Sequence, residues 1–145
     1  MKPYDKGCLS SSEVYFYTAP PYVKNTFFYP LCAGHYQCTS DYCVTRNNYD
    51  SYLLMYIKKG SGSLSAGGRT WDFHEGQAVL VNCYLPHIYK ADSDMDFYWV
   101  HFDGATSEAY ADLIYQDIGH VMALKNALKF EDLMEKIFLN LSGSS

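Results

Sequence analysis

Five histidines and five cysteines are scattered through 145 residues, and their spacing decides which chemistry is open to the chain. Cys8, Cys32, Cys38, Cys43 and Cys83 are odd in number, and no two are separated by the two-residue gap of a zinc-binding pair. Neither a complete disulfide framework nor a zinc finger follows from them. No serine sits in a glycine-flanked elbow, and no cysteine has a sequence context that marks a nucleophile. His87, in "NCYLPHIY", is the histidine that poses a question: metal ligand, wall of a ligand pocket, or buried core residue. Alternation along a strand places His87 and Tyr89 on one face; in "DFYWVHF" it groups Phe97, Trp99 and His101 against Tyr98, Val100 and Phe102. The chain carries 15 tyrosines. Their flat apolar rings with a hydroxyl suit a pocket or an interface, though strands favour them too.

These side chains need elements to hold them. The length suits about one domain with a real core. An apolar content of 48% and a charged content of 19% are those of a globular protein. A net charge of −5 argues against a nucleic-acid surface, which needs clustered Lys and Arg. The N-terminus lacks the apolar core of a signal peptide, and no apolar run approaches the ~18 residues that span a bilayer. A reduced, cytoplasmic protein with no membrane partner is expected. Residues 1–26, with Gly7, a serine triplet and Pro20-Pro21, read as an arm with little regular structure. Residues 27–104 are a succession of short aromatic and β-branched runs separated by glycine and aspartate turns, the pattern of a sandwich or small barrel. Over residues 105–145 the period becomes helical. Tyr110, Leu113 and Ile114 share one face of a first helix that stops near Gly119. A second carries the stripe Phe130, Leu133, Met134, Ile137, Phe138 and Leu141.

The run "YIKKGSGSLSAGGRTWDFHEGQAVLVNCYLPHIYKADSDMDFYWVHFDG" resembles the cupin-type ligand-binding domain of AraC-family bacterial transcription regulators. The likeness covers roughly residues 27–141. It rests on the glycines of the first hairpin, the "EGQAVLV" strand entry, a histidine two residues before an aromatic, and "YWVHF", in that order. The resemblance implies a mainly β, cupin-like jelly-roll barrel followed by two α-helices, binding a small molecule, often a sugar, and dimerising through the helices. Metal-dependent cupins use two histidines, a glutamate and a final histidine. Spacing from Gly76 lands the final ligand on His87. Spacing from Gly60 puts Leu53 at the glutamate position and Arg46/Asn48 or Asn47/Tyr49 at the histidine pair. One imidazole cannot hold a divalent ion against water, so neither a metal nor another cofactor is expected.

Without metal, the barrel interior is expected to be an aromatic pocket with a few placed polar groups. The resemblance turns the Trp99 face inward, where an indole can stack on a sugar ring, and brings Phe97 and His101 with it. His101 stands further along the strand. His87 and Tyr89 match positions where the family keeps polar pocket residues, and Arg46 matches its pocket arginine, able to fork hydrogen bonds to vicinal hydroxyls or a carboxylate. His35 and Tyr56 are weaker candidates, and His74 lies beside a turn. Each has a plain alternative: a satisfied core histidine, a core tryptophan, a surface or paired arginine. The expected function is effector binding and homodimerisation, with Leu133, Ile137 and Leu141 near the contact. DNA would be bound only through a helix-turn-helix domain not contained in these residues. A cupin enzyme acting on a sugar or small acid, and a stand-alone sugar-binding cupin, are the alternatives to this non-enzyme reading.

Overall fold

The computed structural model describes residues 1–25 and 28–143. In chain order the elements are β1 (Glu13–Phe16), α1 (Pro21–Lys24), β2 (Tyr29–Cys38), β3 (Cys43–Arg46), β4 (Tyr52–Lys59), β5 (Ser61–Ala66) and β6 (Arg69–His74). There follow β7 (Gln77–Asn82), β8 (His87–Ala91), β9 (Met95–Asp103), α2 (Ser107–Asp117), β10 (Val121–Ala123) and α3 (Ala127–Gly143). Two antiparallel sheets face each other, one ordered β1-β2-β9-β4-β7-β10 and the other β3-β8-β5-β6. The hairpin from β5 to β6 turns on Gly67 and Gly68 alone, both at positive φ (59° and 77°). Two left-handed residues in a two-residue loop match the twist of the strands they join, and glycine takes that conformation without strain.

Period-2 alternation divides the larger sheet cleanly. Cys32, Tyr36 and Cys38 of β2, Leu53, Met55 and Ile57 of β4, and Phe97 and Trp99 of β9 point into the barrel, where they join Leu64, Phe73 and Tyr89 in one buried cluster. The other face carries Ala33, Tyr56, Tyr98 and Val100. It is covered by α3, whose Phe130, Met134, Phe138 and Leu141 pack on it. Those positions recur at i, i+4, i+8 and i+11, one stripe of a helix.

Four expectations change here. The arm, expected to hold little regular structure, contributes a core strand: β1 pairs with β2 from Glu13↔His35 to Phe16↔Cys32, and Val14 enters the barrel core. A four-residue strand is too short to show a period, and it exists because β2 offers an edge. The helical segment is interrupted by β10, paired with β7. In α2 the buried residues are Ser107 and Ala111, while Tyr110 and Leu113 are each 54% exposed. Small side chains let that helix lie close over Tyr52 and Leu80, so its packed face is not its most apolar one. Leu141, expected at an exposed contact, is only 8% exposed and belongs to the helix–sheet interface. Leu133 and Ile137 flank that stripe and stay open at 50% and 36%.

Candidate functional site

A cavity of about 320 Å³ opens inside one end of the barrel. This is at the small end of ligand pockets, roughly 300–1,000 Å³. Trp99 and His101 of β9 form one wall, and Arg46 of β3 and Tyr89 of β8 face them from the smaller sheet, with Tyr36, Tyr42 and Tyr49 between. Residues 1–5 of the N-terminal arm lie across its mouth. Trp99 fits because the residue beside it in the register is Gly34. A Cβ on Gly34 would stand 2.4 Å from the indole ring, so only glycine allows the ring to lie over β2.

Three buried polar atoms around this end have no hydrogen-bond partner among the described residues: Arg46 Nη1, Trp99 Nε1 and His87 Nε2. Leaving such an atom unpaired away from water costs about 1–3 kcal/mol. The Arg46 guanidinium lies 4.6 Å from the Tyr49 ring centroid, and no carboxylate is paired with it among the described residues. Arg46 is thus a cation held by an aromatic face with donor capacity to spare.

Hydrogen bonding sets the form of both histidines. The Leu85 carbonyl lies 2.8 Å from His87 Nδ1 and can only accept, so Nδ1 carries the proton and Nε2 offers a lone pair. Burial, with Arg46 nearby, lowers the pKa of His87 and keeps it neutral. The Ser51 hydroxyl donates to the Tyr49 carbonyl at 3.0 Å and accepts from His101 Nδ1 at 2.9 Å. His101 Nε2 is therefore an acceptor as well. Burial first, then Arg46 and His87, hold His101 down to about 3. Neither imidazole is poised to shuttle a proton near neutrality. Burial likewise pushes the Cys32 thiol up to about 11 and that of Cys83 to about 12, which keeps both from acting as nucleophiles.

Of the residues singled out in the sequence, Arg46, Tyr89, Trp99 and His101 meet in the cavity. His87 is next to them, paired in register with Arg46 and parallel to the Tyr89 ring at 6.1 Å. It lines a shallow groove with Arg69 and Pro86 rather than the cavity itself. The other three are elsewhere. Phe97 is fully buried against Tyr36 and Tyr42, part of the packing beneath the cavity. His35 is on the outer face, with Nε2 2.6 Å from Asp96 Oδ1 and its ring stacked on Tyr98 at 4.2 Å. Tyr56 is on that same face against Phe130. Both have the wrong parity for the interior, a consequence of alternation along β2 and β4. That same parity brings Gly34 and Tyr36 in, and a glycine inside a strand was the signal for the close approach of Trp99. Nothing local announces Tyr42, Tyr49 or the place of the arm over the cavity.

The metal donor set of cupins does not fit here. Leu53, at the glutamate position, is buried in the core, a guanidinium stands near His87, and no three His, Cys, Asp or Glu side chains gather among the described residues.

A family model described as the AraC-like ligand binding domain matches residues 29–145. The Msm operon regulatory protein of Streptococcus mutans is 27% identical over 85 residues, which is 55% of this chain and 31% of that protein; the chain thus spans about a third of that relative's length. The crystal structure of the protein YhaK from Escherichia coli superposes with a TM-score of 0.55 at 12% identity, over 68% of this chain and 47% of the other. The Schizosaccharomyces pombe Cnp3 cupin domain gives 0.49 at 10% identity, over 72% and 73% of the two chains. The fold is mainly β, two facing antiparallel sheets followed by C-terminal helices. With the family's match running from β2 through α3 and taking in Arg46, Tyr89 and Trp99, the chain belongs to the AraC-like ligand-binding domains.

Proposed function

We propose that the cavity is the effector site of a transcription regulator and that its ligand is a small polyhydroxylated molecule, a saccharide. The observation that carries this reading is the set of unpaired polar atoms beside an indole in a small, tyrosine-rich cavity. Arg46 Nη1 and Trp99 Nε1 donate, His101 Nε2 accepts, and a sugar offers hydroxyls that do both while its apolar ring face stacks on Trp99. In this reading the chain is not an enzyme: its imidazoles are tied to structural partners, its buried thiols are protonated, and the metal donors are replaced. DNA binding falls to a helix-turn-helix domain of the parent protein. A homodimer forms through the helical side, where Ile137 lines an apolar groove of about 680 Å³ between α2 and α3 and Leu133 stands half-exposed on the same helix.

The test is a titration of a panel of neutral monosaccharides and sugar acids followed by tryptophan fluorescence. Trp99→Phe should abolish the response to a binding sugar. Trp71→Phe should keep it, because Trp71 packs against His120, outside the cavity lining. A panel in which nothing binds, or a response carried by Trp71, would remove the saccharide reading.

A further inference from the structure

The N-terminal arm crosses the cavity mouth. Its start is held to β1, where Val14 N donates to Met1 O at 2.9 Å and Glu13 pairs with the Met1 amino group and Lys2, and a second fastening further along brings two cysteines together. Leu9 N donates to Gln37 O at 2.8 Å and Thr39 N to Gly7 O at 2.8 Å. Between those two bonds Cys8 faces Cys38 in an isolated antiparallel bridge. Bonds to the flanking residues, and none between the pair itself, define a non-hydrogen-bonded pair. There the Cα atoms approach to about 4.5 Å, inside the ~4.4–6.8 Å range that a disulfide spans. The sulfurs are already 3.5 Å apart and both thiols are free.

We propose that Cys8 and Cys38 are a redox-active dithiol, closed by a low-molecular-weight disulfide into an intrachain bridge that pins the arm across the cavity.

The two sulfurs divide the work by position. Cys8 is partly exposed and can meet an oxidant, whereas Cys38 is buried. The Cys8 thiolate attacks one sulfur of the oxidant, whose S–S bond breaks and releases one thiol. Cys38 then gives up its proton and attacks the Cys8 sulfur, and the second thiol leaves. Two protein thiols are oxidised by two electrons, and one small disulfide is reduced to two thiols. Its hydrogen bond to Cys8, then burial, then the Cys8 charge keep Cys38 protonated. That charge disappears once Cys8 enters the mixed disulfide, so the second step is eased by the first.

The consequence follows from the path of the arm. Three residues before Cys8, Asp5 lines the cavity and accepts from the Tyr36 hydroxyl at 3.3 Å. On the other side of Cys8, β1 is paired to β2. A bond at Cys8 leaves residues 1–5 a tether of only two residues, so the lid loses its freedom to swing from the mouth. The chemistry holds whatever molecule the cavity takes.

Oxidised glutathione on the full chain carrying Cys43→Ser provides the test, since Cys43 is exposed and could cross-link chains. After alkylation under denaturing conditions, two fewer thiols should be labelled, and fragmentation should join Cys8 to Cys38. Amide exchange over residues 1–8 should slow at least tenfold and recover with a reductant. Full alkylation of both thiols, or a bridge from Cys8 to Cys32, overturns the proposal. A Cys8–Cys38 bridge with unchanged exchange overturns the pinning. The same oxidation on the unmodified sequence guards against a folding defect in the variant, and a chain carrying both Cys8→Ser and Cys43→Ser should retain all its remaining thiols.

Discussion

The larger sheet presents two surfaces built from the same strands, and they want different things. Along β9, Trp99 and His101 go to the cavity, while Val100 and Phe102 go to the groove under the helices. The cavity is small and keeps two buried donors, Arg46 Nη1 and Trp99 Nε1, without partners among the described residues. The groove has about twice the volume, and among its lining side chains Leu54, Leu80, Phe102, Ile114 and Met122 are apolar. An unpaired buried polar atom is costly until a complementary polar group arrives. An open apolar surface is costly until another apolar surface covers it. In the proposed function, one strand serves a polar small molecule on one side and a protein contact on the other, a division made by the two-residue period.

The largest expected effect separates packing from binding inside the barrel. Phe97→Ala should cost ~3–5 kcal/mol of stability in urea unfolding, the usual range for a buried phenylalanine, while Phe97→Leu should keep ligand affinity. A loss of affinity in a well-folded Phe97→Leu chain would return this residue to the pocket. Arg46→Ala should do the reverse. Binding of a sugar that binds the wild type should weaken by ~1.5–3 kcal/mol, the worth of hydrogen bonds to a charged group, while stability should fall by no more than about 1 kcal/mol, the worth of its contact with the Tyr49 ring. Calorimetric titration beside urea unfolding reads both, and intact affinity would mean the cavity is not the site.

The pH dependence comes next. His101 binds a proton near pH 6.5 when unfolded and only near 3 in the fold. Between those values the unfolded chain holds more protons, so stability falls as pH drops, by up to about 1.4 kcal/mol per pH unit. His101→Gln should show a shallower loss between pH 7 and 5. Equal slopes in the two proteins would mean that His101 is not held neutral. The smallest effect on stability concerns the outer face. Ile137→Glu should shift stability by no more than about 0.5 kcal/mol yet yield a monomer in sedimentation equilibrium, whereas Leu141→Glu should unfold. A wild type that stays monomeric at micromolar concentration would leave the groove without its proposed occupant.

Much of this architecture is written locally. Alternation in "DFYWVHF" sorts Trp99 from Tyr98, and the Gly67-Gly68 pair announces a tight hairpin. The stripe of α3 shows which side chains can share a face. Chain periodicity settles such matters because it depends on backbone geometry within a few residues. It does not say which face another element will cover. Whether α3 buries Leu141 or Leu133, and whether α2 turns Ala111 or Leu113 to the sheet, depended on the surfaces those helices met. Tertiary structure alone made β1 a strand, by offering it the edge of β2. It also set Cys8 against Cys38 and Arg46 beside His87. These residues are distant in sequence, and only strand register brings them within reach of each other.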